Sequence, residues 1–432
     1  MHVILGNIPQ SHICCIMALR KPKISDVFTP RSSQVNLKTY VPRLDLERML
    51  LRSIYGSMHS LLFGESGNGK SWMYKKVLDE NEIRYKVANC ANASRIGSLT
   101  QEIVSSLTEP GTAQRVAFNE NKEATLKAIV AEGKLVNQNQ YKVHLTEPLA
   151  EALGRFRKSI GYRPGVIVLD NLESIFNNSK IMDELADILI LLDDERYGKF
   201  KIKFLIVGVP NGVLEYFAKT KNLESVSNRI EELQKVTSLN VTMVRTLVKT
   251  GFNELLDLRL PDSAIARISG HAHHVTLGVA QRVQEYCEKL AYNIEDNRGV
   301  FHPDLLSKTD FEWLCQGMRQ GYTVVESHLN SKRTTIARRN QIIYCIGKIT
   351  SHQLDSTKVT AKLVEEFPDT TSERNMGVGS ILAELASGES PLLRKNPNTS
   401  EYRVCDPRYI MCIRVMLRKR EDNVIEKISF GT

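Results

Sequence analysis

The sequence has no cysteine pattern that predicts disulfide bonds or a metal site. Its 432 residues include only eight cysteines, and no two of them have the Cys-x-x-Cys spacing typical of metal and redox sites. Nor do His271, His273 and His274 have a nearby carboxylate or cysteine to complete a zinc-type site. We therefore expect reduced thiols in a cytoplasmic protein.

The sequence also lacks a long apolar run. No stretch approaches the roughly 18 to 20 continuous apolar residues that a membrane span requires, so we expect no membrane partner. The first residues are apolar in patches, but their lysines follow the apolar part, which is the wrong order for a secretory signal. We expect residues 1–26 to be a poorly ordered leader, and Met17 is an alternative start.

Charge of one sign does not dominate. The formal net charge is +9, and 42% of the residues are hydrophobic, which is typical of a globular protein and excludes a disordered or fibrous chain. A charge of this size does not identify a polyanionic partner. The basic stretches SKRTTIARR (331–339) and IRVMLRKR (413–420) both lie near the end, either as solvated faces or as a binding surface. No constellation typical of a nuclease or protease is visible.

Apolar runs alternate with helical patterns in the first half of the chain. A strand ends at the glycine-rich loop near residue 64, a helix follows that loop, and a β-hairpin insertion is predicted around Gly133. This alternation predicts an α/β fold with a parallel sheet covered on both faces. The further predicted strands are 83–90, 165–170, 200–211 and 231–241, and the further helices are 95–107 and 181–195.

From about Thr242 the pattern changes to helices alone, as far as about residue 330. The last unit begins with three short predicted helices, and a stretch at 391–406 then predicts two strands around an Asn-Pro-Asn turn. This order of elements predicts an α+β winged-helix domain. The three helices are expected at 339–350, 355–367 and 372–386.

A loop rich in glycine follows the first strand. Its pattern is Gly-x-x-x-x-Gly-Lys-Ser, in which backbone amides surround a phosphate chain and the glycines permit close approach. The helix after it adds the positive end of its dipole. We expect Lys70 to reach the β and γ phosphates of ATP and the Ser71 hydroxyl to ligate Mg²⁺. The whole loop comprises Gly64, Glu65, Ser66, Gly67, Asn68, Gly69, Lys70 and Ser71.

A second metal ligand is expected at the end of a neighbouring strand. Asp170 closes GVIVLD, where its carboxylate would hold Mg²⁺ directly or through water, unless it serves only as a helix cap. Many such ATPases carry a glutamate next, but this chain has Asn171, which cannot take a proton. Glu173 is either the alternative base or an exposed glutamate with no role. We therefore predict ATP binding with slow hydrolysis.

With these motifs the chain resembles the AAA+ ATPases, in the branch that includes origin-recognition initiators, transposition ATPases and STAND-like signalling NTPases. The resemblance runs from about residue 27 to 290, and less specifically through the winged helix. It implies a P-loop ATPase core at 27–241, a helical lid and linker at 242–330, and a winged-helix domain and tail at 331–432.

The resemblance also implies roles for single residues. Tyr40 and Val41, in TYVPRLDLERML, would lie nearest the adenine. Asn211 falls at the first sensor, which orients the attacking water, unless it is a turn residue. Arg229 falls at the arginine finger, which reaches a neighbouring subunit's nucleotide, unless it forms a surface salt bridge. His273 replaces the second-sensor arginine and, being mostly neutral at pH 7, would hold the γ-phosphate weakly.

Two functions of different classes fit these features. In the first, ATP orders a homo-oligomer whose winged helices bind duplex DNA, with Arg394 and Lys395 on phosphates. In the second, the chain is a signalling NTPase, as in anti-phage defence, whose winged helix is a regulatory module and whose output is an effector protein. A third possibility, a nucleotide-binding scaffold that does not hydrolyse ATP, would give Asn211 and Arg229 no role. Salt-dependent DNA binding distinguishes the first function from the others.

Overall fold

The computed structural model describes most of the chain. The described residues are 22–108, 147–208, 217, 220, 223–330, 337–349, 353–371 and 376–428. Four of the predicted features lie wholly or largely outside these residues. They are most of the leader, the hairpin around Gly133, the sensor residue Asn211, and residues 331–336 of the first basic stretch.

The first half of the chain is built on a parallel sheet. Its order is β2-β3-β4-β1-β5. Because all neighbouring strands are parallel, the loop after β1 and Asp170 at the end of β3 lie at the same edge. The strands are β1 His59–Phe63, β2 Arg84–Asn89, β3 Gly165–Asp170, β4 Ile202–Gly208 and β5 Ile230–Glu232.

Helices cover both faces of this sheet. In β3, Val166 and Val168 point to the face covered by α2 and α3, while Ile167 and Leu169 point to the opposite face, because successive side chains alternate. The predicted doubly covered sheet is thus confirmed. The helices are α1 Ile24–Val27, α2 Leu44–Tyr55, α3 Lys70–Glu80, α4 Cys90–Ile96, α5 Leu99–Leu107, α6 Pro148–Ile160, α7 Ser179–Leu191, α8 Glu195–Gly198 and α9 Leu223–Ser227.

Some element bounds differ from the predictions. The single helix expected at 95–107 is two helices, because Gly97 has a left-handed backbone (φ 79°) and Ser98 caps the next helix. The fifth strand is shorter than expected, since beyond Glu232 the chain pairs Val236 with Gly64 in an isolated bridge. Residues 24–26, expected in a poorly ordered leader, lie in α1, whose Ile24 and Val27 are buried.

A helical unit follows the sheet. The Phe28 ring packs so closely on Gly251 that a Cβ there would lie 2.5 Å from it, which ties the N-terminal segment to this unit. The unit consists of α10 Val241–Lys249, a π-helical turn Thr250–Leu255, α11 Asp262–Thr276, α12 Ala280–Asp296, α13 Asp304–Gly317 and α14 Arg319–His328.

The C-terminal unit has three helices followed by a hairpin, in the predicted order. Leu354 forms an antiparallel bridge with Tyr402 that adds a short third strand position to the hairpin. A further helix and a second hairpin were not predicted. The elements are α15 Arg338–Lys348, α16 Ser356–Glu366, α17 Val378–Leu385, β6 Leu393–Lys395, β7 Tyr402–Val404, α18 Pro407–Met416, β8 Leu417–Lys419 and β9 Ile425–Lys427, with a short 3₁₀ turn at Pro368–Thr370.

One continuous hydrophobic core joins the helical and C-terminal units. It includes Ile268 and Tyr286 from the former and Ile346 and Met416 from the latter. The C-terminal unit therefore packs directly on the helices that precede it. Among the helices described, none is both long and apolar enough to cross a membrane.

Candidate functional site

The glycine-rich loop has the backbone that phosphate binding requires. Gly67 and Gly69 both adopt left-handed conformations, with φ values of 82° and 85°, which residues with a Cβ rarely adopt. A Cβ on Gly64 would lie 2.4 Å from the carbonyl oxygen of Val236. The helix α3 then begins at Lys70. The loop thus presents backbone amides and a helix N-terminus at one place.

The Lys70 ammonium lies over the loop itself. It donates hydrogen bonds to the carbonyl oxygens of Gly64 (2.7 Å) and Glu65 (3.2 Å). Burial lowers the pKa of Lys70, and the nearby carboxylates of Glu173, Asp170 and Glu65 offset part of that effect. The cation is therefore held at the loop by neutral acceptors, which a phosphate oxygen can replace.

Ser71 and Asp170, the two predicted metal ligands, are in contact. The Ser71 hydroxyl donates to Asp170 Oδ2 over 3.2 Å, and the Tyr74 hydroxyl donates to the same oxygen over 3.1 Å. The backbone N–H of Asn171 donates to Oδ1 over 2.9 Å. The carboxylate is therefore fixed beside the hydroxyl. A hydroxyl and a carboxylate oxygen are donors that suit Mg²⁺.

The chain curls immediately after β3. Asn171 has a left-handed backbone (φ 61°), and its side-chain amide Nδ2 donates to Asn89 Oδ1 on β2 over 3.2 Å. A short 3₁₀ helix, Leu172–Ile175, follows and carries the exposed Glu173. Of the carboxylates that raise the pKa of Lys70, Glu173 acts most strongly. The curl thus brings Glu173 into electrostatic range of the loop.

Tyr40 is held in place by a buried carboxylate. Its hydroxyl donates to Glu47 Oε1 over 2.7 Å, and the Lys76 ammonium donates to Glu47 Oε2 over 3.0 Å. Burial alone would raise the pKa of Glu47, but hydrogen bonds from the Arg43 N–H, Tyr40 and Lys76 lower it on balance. Val41 is partly buried against the core of the helical unit.

Arg43 is a candidate site residue that the sequence analysis missed. Its side chain is only 7% exposed, and its Nε and Nη2 atoms have no hydrogen-bond partner among the described residues. Its Nη1 atom would lie 3.5 Å from a Cβ on Gly69. Burial lowers its pKa. The nearby Tyr40 and Glu47 offset part of that effect. Buried N–H groups without acceptors are costly, so the place of Nε and Nη2 beside the loop points to an acceptor supplied by a ligand.

The beginning of α12 contacts the loop directly. The backbone N–H of Gln281 donates to the carbonyl oxygen of Gly67 over 3.0 Å, and a Cβ on Gly67 would lie 3.0 Å from Val279. A Cβ on Gly69 would lie 3.9 Å from that of Ala280. The helical unit therefore covers the loop through residues 279–281. No pattern noted in the sequence singled these residues out.

His273, the residue expected to hold the γ-phosphate, lies in the last turn of α11. Its ring packs close to Gly278 and forms a hydrogen bond to the backbone of Leu239. Burial and the charge of Arg414 lower its pKa. The residue of this region that meets the loop is Gln281, eight positions further along the chain.

The other two histidines of this helix have separate partners. His271 Nε2 lies 2.8 Å from Asp310 Oδ1, which also accepts a 2.8 Å hydrogen bond from the Tyr286 hydroxyl. Burial and neighbouring cations lower the pKa of His274 to about 4. In the described part of the chain, no group of three or more histidine, cysteine or acidic side chains could hold a metal ion.

Arg229 is engaged within its own chain. Its Nε atom lies 2.7 Å from Asp193 Oδ2, and Nη1 donates to the carbonyl oxygen of Ser225 over 2.5 Å. The sequence left two roles open for Arg229, an arginine finger and a surface salt bridge. In this structure the residue forms a salt bridge within its own chain. Asn211 lies outside the described residues.

The chain is similar to a known domain family and to several solved structures. Residues 54–217 match the family model described as an AAA domain. A search of curated proteins finds no match. Among solved structures, the chain is similar to the Walker-type ATPase PABY2304 of Pyrococcus abyssi, with 13% identity over 88% of this chain and 98% of the other, at a TM-score of 0.49.

Two Aeropyrum pernix structures are also similar. The ORC2 protein in ADPNP–ADP complexes has 15% identity over 88% of this chain and 96% of its own, at a TM-score of 0.48. The ORC1 protein in complex with DNA has 15% identity over 88% and 94%, at a TM-score of 0.43. The family match, the curled glycine loop and the Ser71–Asp170 pair together identify residues 54–217 as an AAA domain of the AAA+ P-loop class.

Proposed function

We propose that the protein is an ATP-binding, slowly hydrolysing switch, in which the nucleotide at the P-loop sets the position of the helical unit. The observation that carries this proposal is the hydrogen bond from the Gln281 N–H to the Gly67 carbonyl. Because that carbonyl belongs to the phosphate-binding loop, a change in the loop on binding ATP reaches α12 through one contact. The helical unit is therefore the lid of the site.

Each side chain of the site has a task in binding. Lys70 exchanges the loop carbonyls for the β and γ phosphates, and Arg43 supplies a second buried cation beside Gly69. Ser71 and Asp170 would hold Mg²⁺, which neutralises charge on the phosphates when bound. Tyr40 and Val41 lie on the segment that leads into Arg43, where the base is expected.

Turnover is proposed to be slow and shared between subunits. Asn171 cannot accept a proton, and its amide is engaged with Asn89, so the base is the exposed Glu173. Arg229 is proposed to leave Asp193 and reach a neighbouring nucleotide when ATP orders a homo-oligomer, with Asn211 orienting the water. Gel filtration with ADP and with a slow ATP analogue tests this; an elution volume that does not depend on the nucleotide would contradict it.

DNA binding is proposed for the C-terminal unit, read as a winged helix. Arg394 on β6 and Arg403 on β7 lie directly opposite each other in the antiparallel hairpin, and both are exposed. Like charges at opposed positions destabilise a hairpin, so an anionic surface is a natural partner. Duplex DNA offers such a surface through its phosphates.

A second candidate function has an observation of its own. The C-terminal unit shares one hydrophobic core with the lid, and Arg414 on α18 donates a 2.6 Å hydrogen bond to the His274 carbonyl on α11. This packing favours a regulatory module that restrains the ATPase in a signalling NTPase with an effector partner. The two functions differ in one measurable property, salt-dependent binding to duplex DNA.

A further inference from the structure

A cavity of about 290 Å³ lies between the lid and the C-terminal unit. Its wall includes His274 near the end of α11, Lys348 at the end of α15, and Arg414, Arg418 and Lys419 around the junction of α18 and β8. None of its lining residues belongs to the P-loop. The wall contains four cationic side chains and no acidic residue.

The four cations have only neutral partners among the described residues. Arg414 donates to the carbonyl oxygens of Gly347 and His274, each over 2.6 Å. These carbonyls belong to the last turns of α15 and α11, where the helix dipole is negative. Arg414 therefore joins the lid to the C-terminal unit while its charge faces no carboxylate.

The remaining three cations are similar. Arg418 donates to the Ser307 hydroxyl over 3.3 Å, and Lys419 donates to the main-chain carbonyl of Glu366. The Lys348 ammonium lies 5.2 Å from the centre of the Tyr344 ring. These contacts orient the side chains without neutralising them.

This lack of ion pairs is local, because other cations of the same unit are paired. Lys358 lies 3.5 Å from Asp355, Lys362 lies 2.7 Å from Glu365, and Arg420 lies 3.2 Å from Asp422. Even Glu426, the register partner of Arg418 on β9, makes no ion pair with it in the described structure, where Arg418 contacts Ser307 instead. The cations of the cavity are thus left available to a ligand.

The state of His274 agrees with a positive potential in the cavity. Burial, followed by the charges of Arg414 and Lys348, lowers its pKa to about 4. The imidazole is therefore neutral at pH 7, and it can donate or accept one hydrogen bond. Lys348 and Arg414 are half-buried at this cavity, whereas Arg418 and Lys419 are exposed. Four cations around a small cavity match a compact ligand that carries more than one negative charge.

We propose that this cavity binds a small multivalent phosphate compound of about the size of pyrophosphate, smaller than a nucleotide, which holds the lid against the C-terminal unit. Charge-assisted hydrogen bonds from Lys348, Arg418 and Lys419 bind the phosphate groups, and Arg414 joins the two units beneath them. The site is separate from the P-loop, so the proposal stands apart from the ATP switch.

Calorimetry with pyrophosphate tests the site in the full-length protein. The titration is made with EDTA and saturating ADP, so that the P-loop is occupied, and is repeated in Lys70→Ala. We expect one site per chain with the same affinity in both proteins. The double variant Lys348→Gln/Arg418→Gln should bind at least about tenfold more weakly, because two charge-assisted contacts are lost. The matched control Arg420→Gln, outside the cavity, should bind as the parent does.

Three results would overturn the proposal. They are no pyrophosphate binding in the ADP-filled parent, loss of binding in Lys70→Ala, and equal affinity in the double variant and the parent. Displacement of pyrophosphate by duplex DNA, with both ligands lost in the double variant, would also overturn it, because the cavity would then belong to a nucleic-acid surface. Thermal melting of each variant verifies that it is folded.

Discussion

Arg229 Nε and Asp193 Oδ2 lie 2.7 Å apart, so the residue expected to act on a neighbouring subunit is paired within its own chain. Asp193 follows α7, and Arg229 directly precedes β5 at the edge of the sheet. A partly exposed ion pair of this kind contributes at most about 1 kcal/mol. Assembly of a shared site could therefore break it at small cost.

We predict that ATP turnover per subunit rises with protein concentration, and that Arg229→Ala removes this dependence. Asp193→Asn should shift the dependence to lower concentrations by up to about fivefold, since it removes the competing partner. Arg196→Ala, which removes an exposed arginine paired with the adjacent Asp194, is the matched control. The measurement is a steady-state ATPase assay over a range of concentrations. A rate per subunit that is constant and unchanged in Arg229→Ala would refute the shared site.

Lys70→Ala should abolish ATP binding and leave the protein folded. The ammonium is the loop's own cation, and its removal costs only about 1 kcal/mol of stability per lost hydrogen bond to a loop carbonyl. Lys75→Ala is the control on the same helix, because among the described residues the Lys75 ammonium donates a hydrogen bond only to the Ser33 carbonyl, away from the loop. Calorimetric titration with ATP measures the effect. Equal affinity in Lys70→Ala and the parent would exclude the loop as the binding site.

Arg43→Met should weaken ATP binding by at least about tenfold while stabilising the protein without nucleotide. The substitution keeps the stem of the side chain and the backbone N–H that donates to Glu47, but removes a buried cation whose Nε and Nη2 atoms have no hydrogen-bond partner among the described residues. The control is Arg48→Met, at an exposed position on α2. Melting temperature and ATP affinity are measured on the same preparations. A lower melting temperature with unchanged affinity would make Arg43 a structural residue.

The elements around the P-loop could be predicted because their signals are local. A buried strand, a glycine loop and a helix follow each other within residues 59–80, and Asp170 ends an unbroken apolar strand. Arg43 could not be found in the same way. It stands out only because it is buried and because its Nε and Nη2 atoms lack hydrogen-bond partners among the described residues, and both properties depend on tertiary packing.

The contact between the helical unit and the P-loop was missed for a related reason. His273 was singled out because it replaces the second-sensor arginine of the family that the chain resembles, whereas the turn at Gly278 directs the chain so that Gln281 meets Gly67. A left-handed residue at Leu277 and another at Gly278 create this turn, and only Gly278 gave a sign of it in the sequence. Gly67 and Gln281 are 214 positions apart in the chain, and a contact between residues so far apart cannot be deduced from local sequence patterns.

Glu173→Gln should lower the residual rate of hydrolysis by at least about tenfold and leave ATP affinity unchanged. The glutamine has nearly the same shape but cannot accept a proton, and general-base catalysis contributes roughly 10²- to 10⁴-fold. Single-turnover hydrolysis and equilibrium binding are measured in parallel. An unchanged rate would show that Glu173 is a bystander and that water is activated in another way.

The final prediction concerns Arg394 and Arg403, which face each other across the β6–β7 hairpin. If this hairpin contacts DNA, the affinity for duplex should fall with salt by roughly 0.9 log units per log unit for each phosphate neutralised. Arg394→Glu should weaken binding to any sequence about equally, because phosphate contacts carry no sequence information. It should not unfold the hairpin, since it replaces a pair of like charges by a pair of opposite charges worth roughly 0.2 to 1 kcal/mol. Fluorescence anisotropy at two salt concentrations, with the lid variant Arg245→Glu as the control, measures binding. No duplex binding by the parent at physiological salt, together with faster ATP turnover after a cut near residue 330, would favour the signalling function instead, because the C-terminal unit would then restrain the ATPase.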